Sequence, residues 1–274
     1  MGVASITANV DIANMALQRL GQPAISTLTE VSRDATVANN LFSQNRDYCL
    51  MLADWDCLAQ RAVLTRSGKV AMSAATAADP VHVTATGHVF IANELVFVES
   101  VTGMTQLNGN TYRVYAIGTN SLTLYDLDGT TADGSGFTAW VSGGYVYRSP
   151  GANFAYAYDL PSDCIKVLKV LDANFAEDTQ YTWRKERNFI YTDVVNAGVE
   201  YIKQITDPTL YEPDLVEVIV SRLAWFVGMR IHSDKTLRDR TYQEMQAAVA
   251  RAKMTNSAGR QDQGEPEELW ADVR

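Results

Sequence analysis

Paired carboxylates are the residues of this chain whose spacing comes nearest to a chemical site. Asp126-Leu127-Asp128-Gly129 matches the start of a calcium-binding loop, in which alternate carboxylates supply oxygen ligands. The run continues with Thr130-Thr131, and no glutamate follows where such a loop would complete its ligand set. Because Asp-Gly is also typical of tight hairpin turns, we predict a turn here and no metal site.

A second carboxylate pair, Asp54 and Asp56, flanks Trp55 near the predicted end of a helix. Cleavage of a glycosidic bond by two carboxyl groups requires both groups to converge on one substrate. Helical residues two positions apart do not face each other, so these two carboxylates are not expected to converge. A cell-wall hydrolase is therefore the weakest of the functional alternatives.

Histidine and glycine complete the search for reactive groups. His82, His88 and His232 have no serine, cysteine or carboxylate at a spacing typical of a catalytic triad. Gly134-Ser135-Gly136 lacks the third glycine and the following helix of a phosphate-binding loop, so we predict a turn. The sequence predicts no catalytic, cofactor-binding or metal-ligating residue, no cofactor and no enzymatic activity.

The charge balance argues against a nucleic-acid-binding function. The 274 residues include 23 Lys and Arg against 32 Asp and Glu, which gives a net charge of −9. Binding to a phosphate backbone requires clustered cations, which an acidic chain of this kind does not offer. If the protein surrounds DNA, we expect its acidic surface to let the DNA pass without specific binding.

Cysteine usage and the apolar runs limit the cellular setting. Cys49, Cys57 and Cys164 form no Cys-x-x-Cys pair and leave one cysteine over, so neither a disulfide framework nor a zinc site is expected. The first residues lack a basic region and a long apolar core, which predicts no signal peptide. No run approaches the roughly 20 apolar residues of a membrane span, so no membrane association is expected.

Apolar residues at helical spacing mark both ends of the chain. They predict helices over residues 11–20 and 32–58, with Asp11 as the N-cap of the first. Pro213-Asp214 marks the start of another helix, and a last helix ending near Met254 would form an αα-hairpin with it. Both halves are therefore expected to build one helical framework.

Between these halves the apolar period changes to the alternation of β-strands. Val81 and Val83 alternate with polar residues, and Asn108-Gly109 and Gly143-Gly144 are typical of the turns between strands. Residues 67–151 are predicted to form an inserted all-β domain, a small antiparallel barrel or sandwich.

The predicted fold class is α+β. Residues 1–66 and 152–256 are expected to form a discontinuous, mainly helical framework, interrupted by the all-β insertion. Small strands are expected in its second half, at residues 165–171, 181–185, 189–192 and 200–205.

The last segment, residues 257–274, is polar and acidic, which predicts a flexible tail in the free chain. Leu269 and Trp270 are the large apolar residues near its end. They either anchor the tail to a partner or are merely tolerated near a terminus.

The framework also carries a family resemblance. Its first half holds Ile12-Ala13-Asn14-Met15-Ala16-Leu17, then Leu20-Gly21 and a helix ending near Trp55. Its second half holds the run 156–164, Tyr-Ala-Tyr-Asp-Leu-Pro-Ser-Asp-Cys, followed by Trp183, Asp207-Pro208 and Arg222-Leu223-Ala224. In this order and spacing the two halves resemble the head-to-tail adaptor proteins of short-tailed bacteriophages, the family called tail tubular protein A. The resemblance covers roughly two thirds of the chain.

The insertion resembles a different module. Its runs 79–88 and 103–112 and its closing Gly143-Gly144 are similar to a small β domain named for the FCCH domain of ubiquitin-activating enzymes. That module recurs in phage structural and tail proteins, and no adenylation motif accompanies it here. The simplest adaptors lack such an insertion.

The adaptor resemblance implies a structural virion protein in the neck of the tail, assembled in the host cytoplasm. Its copies would form a ring, usually a dodecamer, that joins the portal protein to the tail nozzle protein around the DNA channel. Tail fibres are a further candidate partner, and Leu269 and Trp270 are the candidate portal contacts. The alternative is a tail component that binds host-surface carbohydrate or a receptor through its β insertion, which is rich in tyrosine.

Overall fold

The computed structural model describes residues 6–151, 153–176, 182–231 and 234–261. They divide into two compact units. The terminal unit contains the described residues up to Gln60, residues Asp163–Leu168 and the described residues from Glu200 onward. The central unit contains residues Arg61–Ser162 and Lys169–Val199.

The described residues form four α-helices and three short 3-10 helices. The α-helices are α1 (Asn9–Arg19), α2 (Arg33–Met51), α3 (Pro213–Ile231) and α4 (Lys235–Gln261). The 3-10 helices are Asp56–Leu58, Thr105–Leu107 and Pro208–Leu210. All four α-helices lie in the terminal unit.

Fourteen strands occur in the same described ranges. They are β1 (Ala59–Val63), β2 (Thr65–Arg66), β3 (Val70–Ala71), β4 (Ala74–Ala75), β5 (His82–Thr84), β6 (Leu95–Thr102), β7 (Asn110–Gly118), β8 (Ser121–Tyr125), β9 (Ser142–Arg148), β10 (Tyr156–Asp159), β11 (Cys164–Leu171), β12 (Trp183–Glu186), β13 (Phe189–Thr192) and β14 (Gly198–Lys203). They form three sheets, ordered β1-β14-β11, β12-β13-β10-β2 and β3-β9-β6-β7-β8-β5-β4.

The predicted mainly helical framework is wrong, because the protein is mainly β. Within the described residues, the predicted framework range contains strands β1, β2 and β10 to β14 beside its α-helices, and these strands build two of the three sheets. The prediction missed β1 because its side chains are mostly exposed and show no clear alternation. It missed β2 because a two-residue strand has no period to recognise.

The end of helix α2 differs from the predicted end of this helix. The predicted helix extended to residue 58, whereas α2 ends at Met51. The indole N–H of Trp55, which is fully buried, donates to the carbonyl of Cys49 at 3.0 Å. The same carbonyl also accepts the backbone N–H of the C-cap residue Leu52 at 3.2 Å, so two donors end the last helical turn. The chain then turns through a 3-10 helix into β1.

The strands predicted for the insertion form one seven-stranded sheet with β3 and β4 at its edges. Only Met72 and Ser73 separate β3 from β4, and their backbone N–H groups donate to the carbonyls of Gly144 on β9 and Thr84 on β5, at 2.9 and 2.8 Å. The two ends of the sheet therefore lie beside each other. The alternation was read correctly, since Val83 and Leu122 are fully buried partners across β5 and β8. The sheet is continuous because each of the long strands β6 and β7 has a hydrogen-bonded neighbour on both sides: β6 pairs with β9 and β7, and β7 pairs with β6 and β8.

Gly143 and Gly144 lie inside β9 and not in the turn that their sequence suggested. Gly144 has a φ of +96°, and a Cβ added there would lie 2.8 Å from both the Met72 sulfur and Val101 Cγ2. Glycine is therefore required at this position both by the backbone conformation and by the close approach of two side chains.

Helix α3 is the centre of the terminal unit's core. The sequence predicted a buried stripe on this helix, of which Leu215, Val218, Ile219, Leu223 and Val227 are buried and Phe226 is half-buried. Helices α1, α2 and α4 all pack against α3. The pairing of α3 with α4 confirms the predicted αα-hairpin, and α4 continues past Met254 to Gln261.

Candidate interaction surface

The residues that came nearest to a metal site form a turn. The Asp128 carboxylate accepts hydrogen bonds from the backbone N–H of Thr130, at 2.9 Å, and from its hydroxyl, at 2.7 Å. These bonds hold the pKa of Asp128 below its usual value, whereas burial and then the charge of Asp128 raise the pKa of Asp126. Among the residues that the structure describes, no three His, Cys, Asp or Glu side chains cluster as metal ligands would.

The other candidate reactive groups have structural partners. The side chain of Asp54 forms an ion pair with Lys166 at 2.5 Å. His82 Nδ1 lies 3.0 Å from the Thr123 hydroxyl, and His88 Nε2 lies 3.0 Å from the carbonyl oxygen of Gly118. His232 lies outside the described residues. His82 therefore lies on strand β5, and His88 lies in the loop that follows it.

The terminal unit carries a groove of about 520 Å³ between α2, α3 and α4. Its apolar lining residues are Tyr48, Leu52, Trp225, Tyr242, Met245 and Val249, and its polar ones include Arg222 and Lys253. Tyr48 and Tyr242 keep 47% and 40% of their surface exposed, which is high for aromatic side chains in a core-forming helix bundle. A groove of this size and lining is typical of binding sites.

The groove wall is an aromatic cluster. The rings of Trp225 and Tyr242 have centroids 5.3 Å apart, and those of Trp225 and Phe226 are 4.5 Å apart. Both pairs are tilted by about 50°, an arrangement that aromatic rings favour over face-to-face stacking. The cluster therefore joins α3 to α4 and leaves part of the Tyr242 ring open to a partner.

One arginine closes the other side of the groove. The guanidinium of Arg222 lies over the Tyr48 ring at 3.9 Å and over the Phe226 ring at 4.6 Å. It also donates to the side-chain oxygen of Asn45 at 3.0 Å. Asn45 is buried in turn, and its amide donates to the Ile219 carbonyl at 3.0 Å. This network fixes Arg222 in place, so the shape of the groove is formed in advance of binding.

The groove can bind an apolar segment but has no group arranged for catalysis. Its described lining residues include no histidine, cysteine or carboxylate. In the sequence, Tyr48 has the spacing of the apolar stripe of the predicted helix over residues 32–58, and Arg222 stands out only as part of the family resemblance, so the site was not recognised. The contact between Asn45 and Arg222 joins residues 177 positions apart, which local periodicity cannot reveal.

A second exposed aromatic surface lies on the central unit. Tyr115 on β7 is 59% exposed and stacks on Tyr125 of β8, with ring centroids 4.3 Å apart and planes 19° apart. Tyr112 and Tyr147, in contrast, are buried in the sheet. Tyr115 is thus the most exposed of the tyrosines of this sheet.

Leu269 and Trp270, the candidate portal contacts, lie outside the described residues. In the ranges that are described, none of the helices combines the length and the apolar character needed to cross a bilayer.

No family model matches the chain, and no curated protein matches it. The resemblance to the adaptor family therefore stays a prediction, and so does the similarity of the insertion to FCCH-like domains.

Proposed function

We propose that the chain is a structural virion protein, a head-to-tail adaptor that acts by binding and not by catalysis. The observation that carries this proposal is the aromatic groove of α2, α3 and α4, an exposed apolar surface of the kind that marks interaction sites. The order and spacing of the sequence runs quoted above supply the identity of the assembly.

In the proposed assembly, copies of the chain associate head to tail in a closed ring, with a dodecamer as the expected form. Such a ring needs two different surfaces on each copy. The groove supplies one of them, and a surface of a neighbouring copy would fill it. The exposed pair of Tyr115 and Tyr125 on the central unit is a candidate for a separate contact.

The ring would join the portal protein to the tail nozzle protein in the neck of the virion, after assembly in the host cytoplasm. Leu269 and Trp270 are the proposed portal contacts, and tail fibres are a further proposed partner of the central unit. DNA would pass through the ring during ejection without specific binding, since the chain carries a net charge of −9.

Sedimentation velocity of the full-length chain mixed with its cognate portal ring tests this proposal. We expect a stoichiometric complex much larger than the portal alone, and we expect the variant that lacks residues 257–274 to bind the portal less tightly. Tyr242→Ala should reduce the number of copies bound by weakening contacts between neighbours. A portal that sediments unchanged at every protein concentration would contradict the adaptor function.

A second candidate function is the binding of host-surface carbohydrate or a receptor through the central unit. The observation that favours it is the exposed stacked pair of Tyr115 and Tyr125, since an open aromatic face can pack against an apolar face of a ligand. Titration of purified host-surface glycans should show binding that Tyr115→Ala removes and that Tyr242→Ala leaves unchanged. Absence of binding to the wild-type chain would eliminate this alternative.

A further inference from the structure

The groove of α2, α3 and α4 is apolar inside and cationic at its rim. Its charged lining residues in the described ranges, Arg222 and Lys253, are both positive. Arg222 donates a hydrogen bond to the neutral Asn45 side chain, and its guanidinium lies over two aromatic rings. No carboxylate lines the groove beside it. The site therefore matches a segment that combines apolar anchors with negative charge.

The chain itself contains such a segment. Residues 262–274 carry five carboxylates, Asp262, Glu265, Glu267, Glu268 and Asp272, against one cation, Arg274. The pair Leu269-Trp270 lies among these carboxylates and supplies two large apolar side chains. Tryptophan is the residue most often found as an anchor in a binding pocket, and leucine adds apolar area beside it.

The length of the chain allows this segment to reach the groove of its own molecule. Helix α4 extends from Val249 in the groove to Gln261, a distance of about 18 Å at the helical rise. The eight residues from Asp262 to Leu269 can span up to about 26–29 Å when extended. A chain that folds back after Gln261 can therefore place Leu269 and Trp270 beside Val249 in the groove.

We propose that the groove is the docking site of the chain's own C-terminal segment, residues 262–274, in the same molecule, with Leu269 and Trp270 as the apolar anchors. Arg222 and Lys253 attract the flanking carboxylates. Because a short connection gives the segment an effective concentration in the millimolar range, even a weak intrinsic affinity keeps the groove occupied. A neighbouring molecule at micromolar concentration competes poorly with it.

This docking would control assembly of the ring. The control of assembly rests on the proposed function, whereas the docking itself does not depend on it. A groove filled by its own segment cannot accept a neighbouring copy, so free chains would not form rings. A portal that captures Leu269 and Trp270 would empty the groove and permit association beside it. Assembly would then start only on the portal.

A synthetic peptide of residues 262–274 tests the docking without any portal. Its binding is measured by fluorescence anisotropy against the full-length wild-type chain and the full-length double variant Leu269→Ala/Trp270→Ala. We expect the double variant, whose groove is empty, to bind the peptide at least about tenfold more tightly than the wild type, whose groove is filled. Equal binding to both chains, or binding to neither, would overturn the proposal.

Two further substitutions in the double variant locate the binding site. Tyr242→Ala and the surface charge reversal Lys253→Glu should each weaken peptide binding, and Tyr115→Ala on the central unit should leave it unchanged. Since Lys253 is exposed, its reversal tests the groove even if Tyr242→Ala perturbs folding. Peptide binding that survives both groove substitutions would place the segment elsewhere and overturn the proposal.

Sedimentation of the wild-type chain over a range of concentrations separates docking within one molecule from exchange between molecules. A monomer at all micromolar concentrations is expected. Association that the double variant abolishes would assign the segment to a neighbouring copy and overturn the intramolecular form. Failure of the portal experiment would leave these results unaffected, so the two proposals can fail separately.

Discussion

The guanidinium of Arg222 lies 3.9 Å from the centroid of the Tyr48 ring, which joins α3 to α2 at the edge of the aromatic groove. An arginine in this position stacks through its flat face and keeps its N–H groups in the plane for hydrogen bonding. One of them reaches the buried Asn45 at 3.0 Å. The groove is thus supported from beneath by a polar network inside an otherwise apolar core.

The first prediction concerns this support. Asn45→Ala should lower the free energy of unfolding by about 1–3 kcal/mol, because the Ile219 carbonyl and an Arg222 N–H lose their partner where water cannot easily replace it. Urea unfolding followed by circular dichroism measures the change. Asn40→Ala, in an exposed position on the same helix, is the matched control and should change the free energy little. Equal effects of both substitutions would contradict the role given to Asn45.

The second prediction concerns the glycine inside β9. Gly144→Ala should destabilise the protein by about 2–4 kcal/mol, because the new Cβ would meet Met72 and Val101 at 2.8 Å and the backbone has φ +96°. Gly129→Ala isolates the backbone contribution, since Gly129 has φ +92° and nothing lies within 4 Å of an added Cβ. It should cost about 1 kcal/mol. Thermal unfolding temperatures that fall equally in both variants would show that the crowding is not present.

The third prediction concerns the start of α1. The Asp11 carboxylate accepts hydrogen bonds from the backbone N–H groups of Thr7 and Ala8, each at 2.9 Å, and these bonds lower the pKa of Asp11. Asp11 is therefore not the N-cap that the sequence suggested, but a residue in the first turn that reaches back to the cap residue, Ala8. Asp11→Ala should cost about 1 kcal/mol at pH 7.

The pH dependence of this effect follows from the lowered pKa of Asp11. The stabilisation is present above the unfolded-state pKa, near 3.8, and is lost as the pH falls through the lower folded-state pKa. The difference between the wild type and Asp11→Ala in urea should therefore be larger at pH 7 than at pH 2. A difference that stays constant over this range would show that the carboxylate charge does not contribute.

The fourth prediction concerns Cys49 and Cys57, two of the three thiols of the terminal unit. Burial raises the pKa of Cys49 and of Cys57 to about 12. At pH 8 both thiols are thus protonated in the folded protein, and alkylation by iodoacetamide should be at least about 100-fold slower than in urea. Below pH 12 the rate should rise about tenfold per pH unit as the thiolate fraction grows. Rapid labelling of Cys57 at pH 8 would contradict its burial.

The same pKa shifts predict the alkaline stability. These thiols ionise near pH 9 in the unfolded chain and near pH 12 in the folded protein. The stability that the protonated thiols contribute is therefore fully present below about pH 9, and it is lost as the pH rises from about 9 to 12. Cys49→Ala should reduce the slope of the free energy of unfolding against pH between 9 and 11. An unchanged slope would show that Cys49 is not protonated in the folded protein.

The elements recognised from the sequence were those with a strong local period. The buried stripe of α3 and the alternation around Val83 were read correctly because each pattern repeats within one element. Strand β1 has no such pattern, and the turn before it depends on a bond from Trp55 to Cys49 that periodicity cannot reveal. For this reason the prediction of a mainly helical framework was wrong.

The candidate groove was not recognised for a related reason. Tyr48 has the spacing of a core residue on α2, but its ring stays 47% exposed and is covered on one side by Arg222, on a helix far along the sequence. Groove-forming contacts of this kind join distant residues. A single sequence contains no signal for them.

Electron microscopy of the full-length chain incubated with its cognate portal ring tests the adaptor function most directly. We predict added density at one end of the portal, in a ring coaxial with it and with a central channel. Class averages identical to those of the portal alone, with the protein left free in solution, would contradict the adaptor function.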